Sequence, residues 1–200
     1  MMKNNTVVYT LNQKAYINLT NRCSNRCDFC IRNGRETFYD YYLWLDKEPS
    51  ASEVIKQLEP FLSYDEFVFC GFGEPLFRFD VILEVAEYLK SKGKKTRLNT
   101  NGQADLILPQ RDAAKEIKGL IDIVSISLNA SDAEKYQSIC HCSFGVEGFY
   151  SMLRFAQSCK NQGIKTVLSV VDYIGQEEIE KAKKIARKLG VELRIRKYAK

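Results

Sequence analysis

The chain has 200 residues, of which 45% are hydrophobic and 28% charged. These are ordinary globular proportions that exclude a disordered tail and suit one core in a single domain spanning residues 1–200. The formal net charge of +5 is uneven: residues 181–200 hold nine Lys/Arg and one Glu, which leaves the remainder at −3. No apolar run approaches the roughly 20 residues of a membrane span, which argues against a membrane association. The opening Met1-Met2-Lys3-Asn4-Asn5-Thr6 has no apolar signal core, so a cytoplasmic location is expected. Seven cysteines, an odd number with no export signal, argue for metal or redox chemistry over a disulfide framework.

Taken in chain order, short β-type runs alternate with amphipathic helical runs. The expected strands are Ala15–Leu19, Glu66–Cys70, Thr96–Thr100, Ile121–Leu128, Thr166–Val171 and Glu192–Arg196. Between and after them, helices are expected over Ala51–Leu62, Asp80–Lys92, Asp112–Leu120, Ser131–Ser138, Gly145–Gln162 and Gln176–Leu189. Ser50 or Ser52 can cap the first helix, and Gly93, Gly163 and Gly190 stand where helices should end. Near-continuous apolar strands such as Phe67-Val68-Phe69 point to a parallel sheet covered by helices. Six strand–helix repeats fall short of the eight, and about 250 residues, of a closed barrel. The reading is an α/β fold, either a partial (β/α)6 barrel or an open sheet, with its chemistry at the carboxyl ends of the strands.

Directly after the first strand stand Cys23, Cys27 and Cys30, three thiols within eight residues. A structural zinc site wants four closed ligands, whereas an iron–sulfur cubane held by three thiolates keeps one iron open. Arg22, Arg26, Arg32 and Arg35 surround the thiols, and their charge should favour thiolates. A zinc knuckle completed by a distant ligand is the bland alternative.

Cys-x3-Cys-x2-Cys with Phe29 before the third cysteine resembles the signature of radical S-adenosylmethionine (SAM) enzymes. Gly71-Phe72-Gly73-Glu74-Pro75 is similar to that family's Gly-Gly-Glu-Pro motif, with one extra residue before the glutamate, and Thr100-Asn101-Gly102 also fits. More narrowly, Tyr16–Cys23, Cys30-Ile-Arg-Asn33 and Leu43-Trp44-Leu45 resemble the TatD-nuclease-associated subgroup.

The resemblance implies a partial barrel with a 4Fe–4S cluster on Cys23, Cys27 and Cys30 and SAM at the carboxyl strand ends. Phe29 would line the adenine site. Gly71, Phe72, Gly73 and Glu74 would meet the methionine amino group, with the glycines allowing close approach. Asn101 would belong to the same site, Ser127 and Asn129 would hold the ribose or carboxylate, and Val170 and the main chain near Lys197 would touch adenine. The implied chemistry is reductive cleavage of SAM to a 5′-deoxyadenosyl radical that takes hydrogen from an unidentified substrate, with electrons from a flavodoxin or ferredoxin. The subgroup likeness implies a TatD-type nuclease partner.

The alternatives within the enzyme class are a 7-carboxy-7-deazaguanine synthase-like enzyme and a glycyl-radical activase; outside it stands a non-catalytic metal-binding adaptor of a nuclease. Cys70, Cys140, Cys142 and Cys159 read as buried or incidental thiols, and the single histidine, His141, as structural, with contact to substrate beyond the fourth strand as the alternative. Tyr39, Tyr41, Tyr42 and Trp44 read as packing for the loop, with a substrate lid as the alternative. The basic strip at Lys181–Lys200 reads as a solvated helix face followed by an edge strand, and without aromatic interleaving it argues against nucleic acid. Arg194 and Arg196 alternate on a strand and therefore share a face; if that face is the barrel interior, they could bind a substrate carboxylate or phosphate.

Overall fold

The computed structural model describes residues 5–198. Met1–Asn4 of the leader reading and Lys200 of the basic strip lie outside the described residues. Nine strands are described: β1 (Val8–Leu11), β2 (Lys14–Ile17), β3 (Thr37–Phe38), β4 (Tyr41–Tyr42), β5 (Glu66–Phe69), β6 (Lys95–Thr100), β7 (Ile123–Ser127), β8 (Lys165–Val171) and β9 (Glu192–Arg196). The helices are α1 (Ala51–Leu58), α2 (Phe79–Ser91), α3 (Ala104–Ile107), α4 (Ala113–Glu116), α5 (Ala133–Cys140), α6 (Glu147–Asn161) and α7 (Gln176–Leu189).

The main sheet runs β1-β2-β5-β6-β7-β8-β9. Every pair from β2 to β9 is parallel, so the six expected strands are the six parallel strands, and only β1 is antiparallel to its neighbour. β1 and β2 are joined through Asn12 and Gln13, both at positive φ (48° and 59°), the conformation of a tight hairpin turn. β3 and β4 form a separate hairpin.

Alternation divides each strand between two environments. Ile17, Phe67, Phe69, Leu98, Val124, Ile126 and Leu168 are fully buried against the helices, where Val54, Leu58, Ile82, Val85, Leu89 and Met152 meet them. The opposite, concave face carries Tyr16, Val68, Arg97, Asn99, Ser125, Ser127, Ser169, Arg194 and Arg196, as the register of the pairs requires. A sheet apolar on its helix side and polar inside leaves an interior able to receive a polar ligand.

Local chemistry explains where the helices begin and end. Ser50 caps α1 and forms a capping box with Glu53, so the first of the two sequence candidates is the cap. α1 stops at Leu58, earlier than expected, because Pro60 lacks the N–H that would continue the ladder; a 3-10 turn over Glu59–Phe61 follows. Asp132 accepts from Lys135 N, which starts α5 two residues later than expected. The helix expected over 112–120 shrinks to α4, with Ile117 as its C-cap and Gly119 at φ +79°. Gly190, at φ +66°, closes α7 as expected.

Candidate functional site

The cysteine loop leaves the carboxyl end of β2 and crosses the open end of the sheet. The loop at the end of β5 approaches it closely. Glu74 N donates to Arg22 O at 2.7 Å, and Arg32 Nη1 donates to Phe72 O at 3.2 Å and to Asn21 O at 3.0 Å. The two motifs singled out in sequence are therefore bonded to each other. A Cβ at Gly73 would lie 2.3 Å from Thr20 O, and one at Gly71 would lie 2.1 Å from Asn18 Oδ1. Both glycines are required by contact between the two loops, before any ligand is considered. Phe72 turns its ring away from this junction, edge-on to Trp44 with centroids 5.1 Å apart, in a small cluster with Tyr9 and Leu43.

Glu74 is buried, and its carboxylate joins two strand ends. Oε1 accepts from Thr100 Oγ1 (2.7 Å) and Leu76 N (3.0 Å), and Oε2 accepts from Asn101 N (2.6 Å). Burial pushes its carboxyl up to about 7 against those bonds. The structure thus gives Glu74 a bracing role between the β5 and β6 ends, alongside the ligand role expected of it.

Cys23, Cys27 and Cys30 are free and half-buried. The Cys27 thiol forms a hydrogen bond with Cys140, an interaction that draws Cys27 down and Cys140 up. Burial pushes Cys23 up to about 12 and raises Cys30 as well. Of the four neighbouring arginines, Arg32 lowers all three loop thiols, while Arg22 is engaged by Glu48 at 2.9 Å. Burial outweighs the arginine field at Cys23 and Cys30, the reverse of the expectation from sequence. Among the described residues, no three His, Cys, Asp or Glu side chains are grouped to hold a metal ion.

A buried polar network fixes the loop to the rest of the fold. Asn25 Nδ2 donates to the Tyr136 hydroxyl (2.8 Å), Gln103 Nε2 donates to the same hydroxyl (2.9 Å) and to Asn25 Oδ1 (2.9 Å), and Asn101 Nδ2 donates to Ser24 Oγ (2.8 Å). Main-chain bonds from Arg26 N to Cys140 O and from Asp28 N to Ile139 O tie the loop to the end of α5. Beyond that end, His141 Nε2 stands 2.7 Å from Asp28 Oδ1.

The remaining expected residues fall in different places. Phe29 lies at 5.3 Å from the Tyr173 ring, which in turn meets Tyr198 at 5.3 Å. Ser127 and Asn129 sit at the end of β7, and the buried Asn129 Oδ1 has no partner within the described protein. Val170 is fully buried in the sheet–helix core, beside Leu168 in alternation, so it presents no surface to a ligand. Asp172 accepts from Tyr198 N at 2.7 Å and pairs with Lys197 at 3.1 Å, which ties the chain after β9 to the end of β8.

A family model described as the Radical SAM superfamily matches residues 17–189. The chain belongs to the radical SAM superfamily. Members of this superfamily bind a 4Fe–4S cluster and S-adenosylmethionine. The radical SAM chain is 29% identical over 189 residues to a GTP 3′,8-cyclase of Aquifex aeolicus, covering 91% of itself and 55% of that protein. It is 28% identical over 160 residues to a GTP 3′,8-cyclase of Staphylococcus carnosus, covering 78% of itself and 44% of that protein. It thus spans about half the length of these relatives. Its fold matches that of Streptococcus suis SuiB bound to S-adenosylmethionine with a TM-score of 0.68 at 17% identity, over 90% of this chain and 39% of that one. The partial barrel read from sequence is the observed architecture.

The residues present fit the superfamily's cofactors in donor chemistry. Three free thiols share one loop. The unpartnered buried oxygen of Asn129 is an acceptor suited to a hydroxyl or ammonium donor. Sequence reasoning passed over Ser24, Asn25, Gln103 and Tyr136. Only the polar run beside the cysteines hinted at them, since their partners lie about 80 to 110 residues away.

Proposed function

We propose that this chain is the catalytic core of a radical SAM enzyme, with Cys23, Cys27 and Cys30 as cluster ligands. When bound, the cluster and SAM supply reductive cleavage to methionine and a 5′-deoxyadenosyl radical able to take a hydrogen atom from a substrate. The observation that carries the reading is the direct bonding of the cysteine loop to the Gly-Phe-Gly-Glu-Pro loop through Glu74 N and Arg22 O. Gly71, Phe72 and Gly73 contribute backbone to the methionine end of SAM, and Glu74 holds that backbone in place. Asn101, Ser127 and Asn129 supply polar contacts, and Phe29 with Tyr173 supplies an aromatic wall for adenine.

Residues 1–200 act in this reading as one domain that works in the cytoplasm and draws electrons from a flavodoxin or ferredoxin. The subgroup motifs support a place in the TatD-associated branch. An adaptor without catalysis has no use for the braced Glu74 and the thiol loop together, and we set it aside. Anaerobic reconstitution with iron and sulfide, followed by reduction with SAM, tests the proposal. Formation of 5′-deoxyadenosine by the wild type, and its loss with iron in Cys27→Ala, is the expected result. SAM cleavage that survives in Cys27→Ala, or zinc loading without any cluster, would overturn it.

A further inference from the structure

The carboxyl-end half of the concave face is cationic without compensating acid. In the parallel register Ser127 pairs with Ser169 and Ser169 with Arg194, forming one row across β7, β8 and β9. Arg196 follows one step further on, opposite Val171, and its Nη2 donates to Ser127 Oγ at 3.5 Å. Among the described residues neither Arg194 nor Arg196 is within salt-bridge distance of a carboxylate. The interior cations nearer the amino ends are neutralised, since Glu66 takes both Lys14 (2.8 Å) and Arg97 (2.7 Å).

The position of these guanidinium groups matters as much as their charge. Arg194 acts electrostatically on Tyr16 of β2, and Arg196 on Cys70 after β5 and on Cys27 of the cysteine loop. Arg194 and Arg196 are both exposed, and burial of part of Arg196 by the protein around it still lowers its pKa. A guanidinium that is reachable yet partly desolvated binds an oxyanion more strongly than one on a fully open surface. On the same face, three strands away on β6, the buried Asn99 Oδ1 has no partner within the described protein and offers an acceptor.

We propose that Arg194 and Arg196 are the substrate anchor, taking a carboxylate or phosphate group of an anionic substrate inside the barrel next to the cysteine loop. The inference rests on the radical SAM reading and names the class of molecule that the reaction acts on. Arginine suits the task because its planar fork of donors matches two oxygens of either group.

The test is calorimetric titration of the reconstituted, SAM-loaded protein with inorganic pyrophosphate and, separately, with succinate. Saturable binding of one anion per chain is expected, weakened at least tenfold in Arg194→Gln/Arg196→Gln with SAM affinity and melting temperature unchanged. The anion that saturates distinguishes a phosphate from a carboxylate source. Binding of neither anion by the wild type, or equal binding by the double variant, would overturn the proposal. So would a fall in SAM affinity, which would assign the arginines to the cofactor's own carboxylate. An equal loss in Lys188→Gln, on the outer face of α7, would reduce the effect to the general field of the basic strip and overturn it too. Failure of the wild type to load iron overturns the radical SAM reading itself, an outcome separable from failed anion binding by a loaded protein.

Discussion

The hydroxyl of Tyr136, in the middle of α5, accepts a hydrogen bond at 2.8 Å from Asn25, which lies between Cys23 and Cys27. Gln103 donates to the same oxygen at 2.9 Å, so one fully buried phenol satisfies two amide groups from distant parts of the chain. Tyr136→Phe leaves both donors short of a partner, at a cost of about 1–3 kcal/mol for an unsatisfied buried group. A lower melting temperature and faster loss of iron from the reconstituted protein are expected. Melting and iron release at wild-type values would show that the loop does not depend on α5.

Gly73→Ala should be more damaging than Gly71→Ala. At Gly73 the new methyl meets the main-chain oxygens of Thr20 and Arg22, at 2.3 and 2.6 Å, and neither can move without shifting the start of the cysteine loop. At Gly71 it meets the side chain of Asn18. Thermal melting of the two variants checks the order. A Gly73→Ala protein as stable as the wild type would disprove the close approach.

Glu74 and Glu178 should give stability opposite dependences on pH. For Glu178, burial pushes the carboxyl up, but Lys135 at 2.8 Å, Ser131 at 2.7 Å and Lys181 at 3.1 Å outweigh it and draw it down to about 2. Its contribution is present above an unfolded value near 4.5 and fades as pH falls from there toward 2. Glu74 is raised from 4.5 to about 7, so its contribution is full below 4.5 and is lost as pH rises through 7. Melting curves between pH 3 and 8 should therefore lose part of their acid-side slope in Glu178→Gln and part of their neutral-side slope in Glu74→Gln. Parallel curves for all three proteins would refute both assignments.

Phe67→Ala tests the core that carries the site. Phe67 is fully buried between β5 and the helices, and such truncations cost about 3–5 kcal/mol. Chemical denaturation should report a loss of that order.

The parallel strands and long helices were legible because each carries its own period and its own stops. Gly190 ends α7 where a glycine should, and Glu192–Arg196 is a strand to the residue. β1 escaped notice because its turn uses Asn12-Gln13, and glutamine rarely takes the left-handed conformation that tight hairpins demand. The cysteine and glutamate motifs were legible as local spacings, whereas the burial of Val170 on the helix side was not, because a largely apolar run such as 167–171 does not show by alternation which face is which. The partners of the cysteine loop were invisible for a different reason. Ser24, Asn25, Gln103 and Tyr136 are ordinary polar residues whose meaning lies in meeting one another.

That meeting has a cost in time. The cysteine loop leaves the ribosome before its partners, since Gln103 follows it by about 80 residues and Tyr136 by about 110. At 5–20 residues per second, the thiols spend roughly 5 to 20 s on a nascent chain that cannot yet hold them in register. Metal capture that begins before α5 has been synthesised therefore meets an unfixed loop. In the radical SAM reading proposed above, secure loading of iron waits until α5 has emerged, and a variant that slows the docking of α5 extends the interval in which those three sulfurs are open to oxidation.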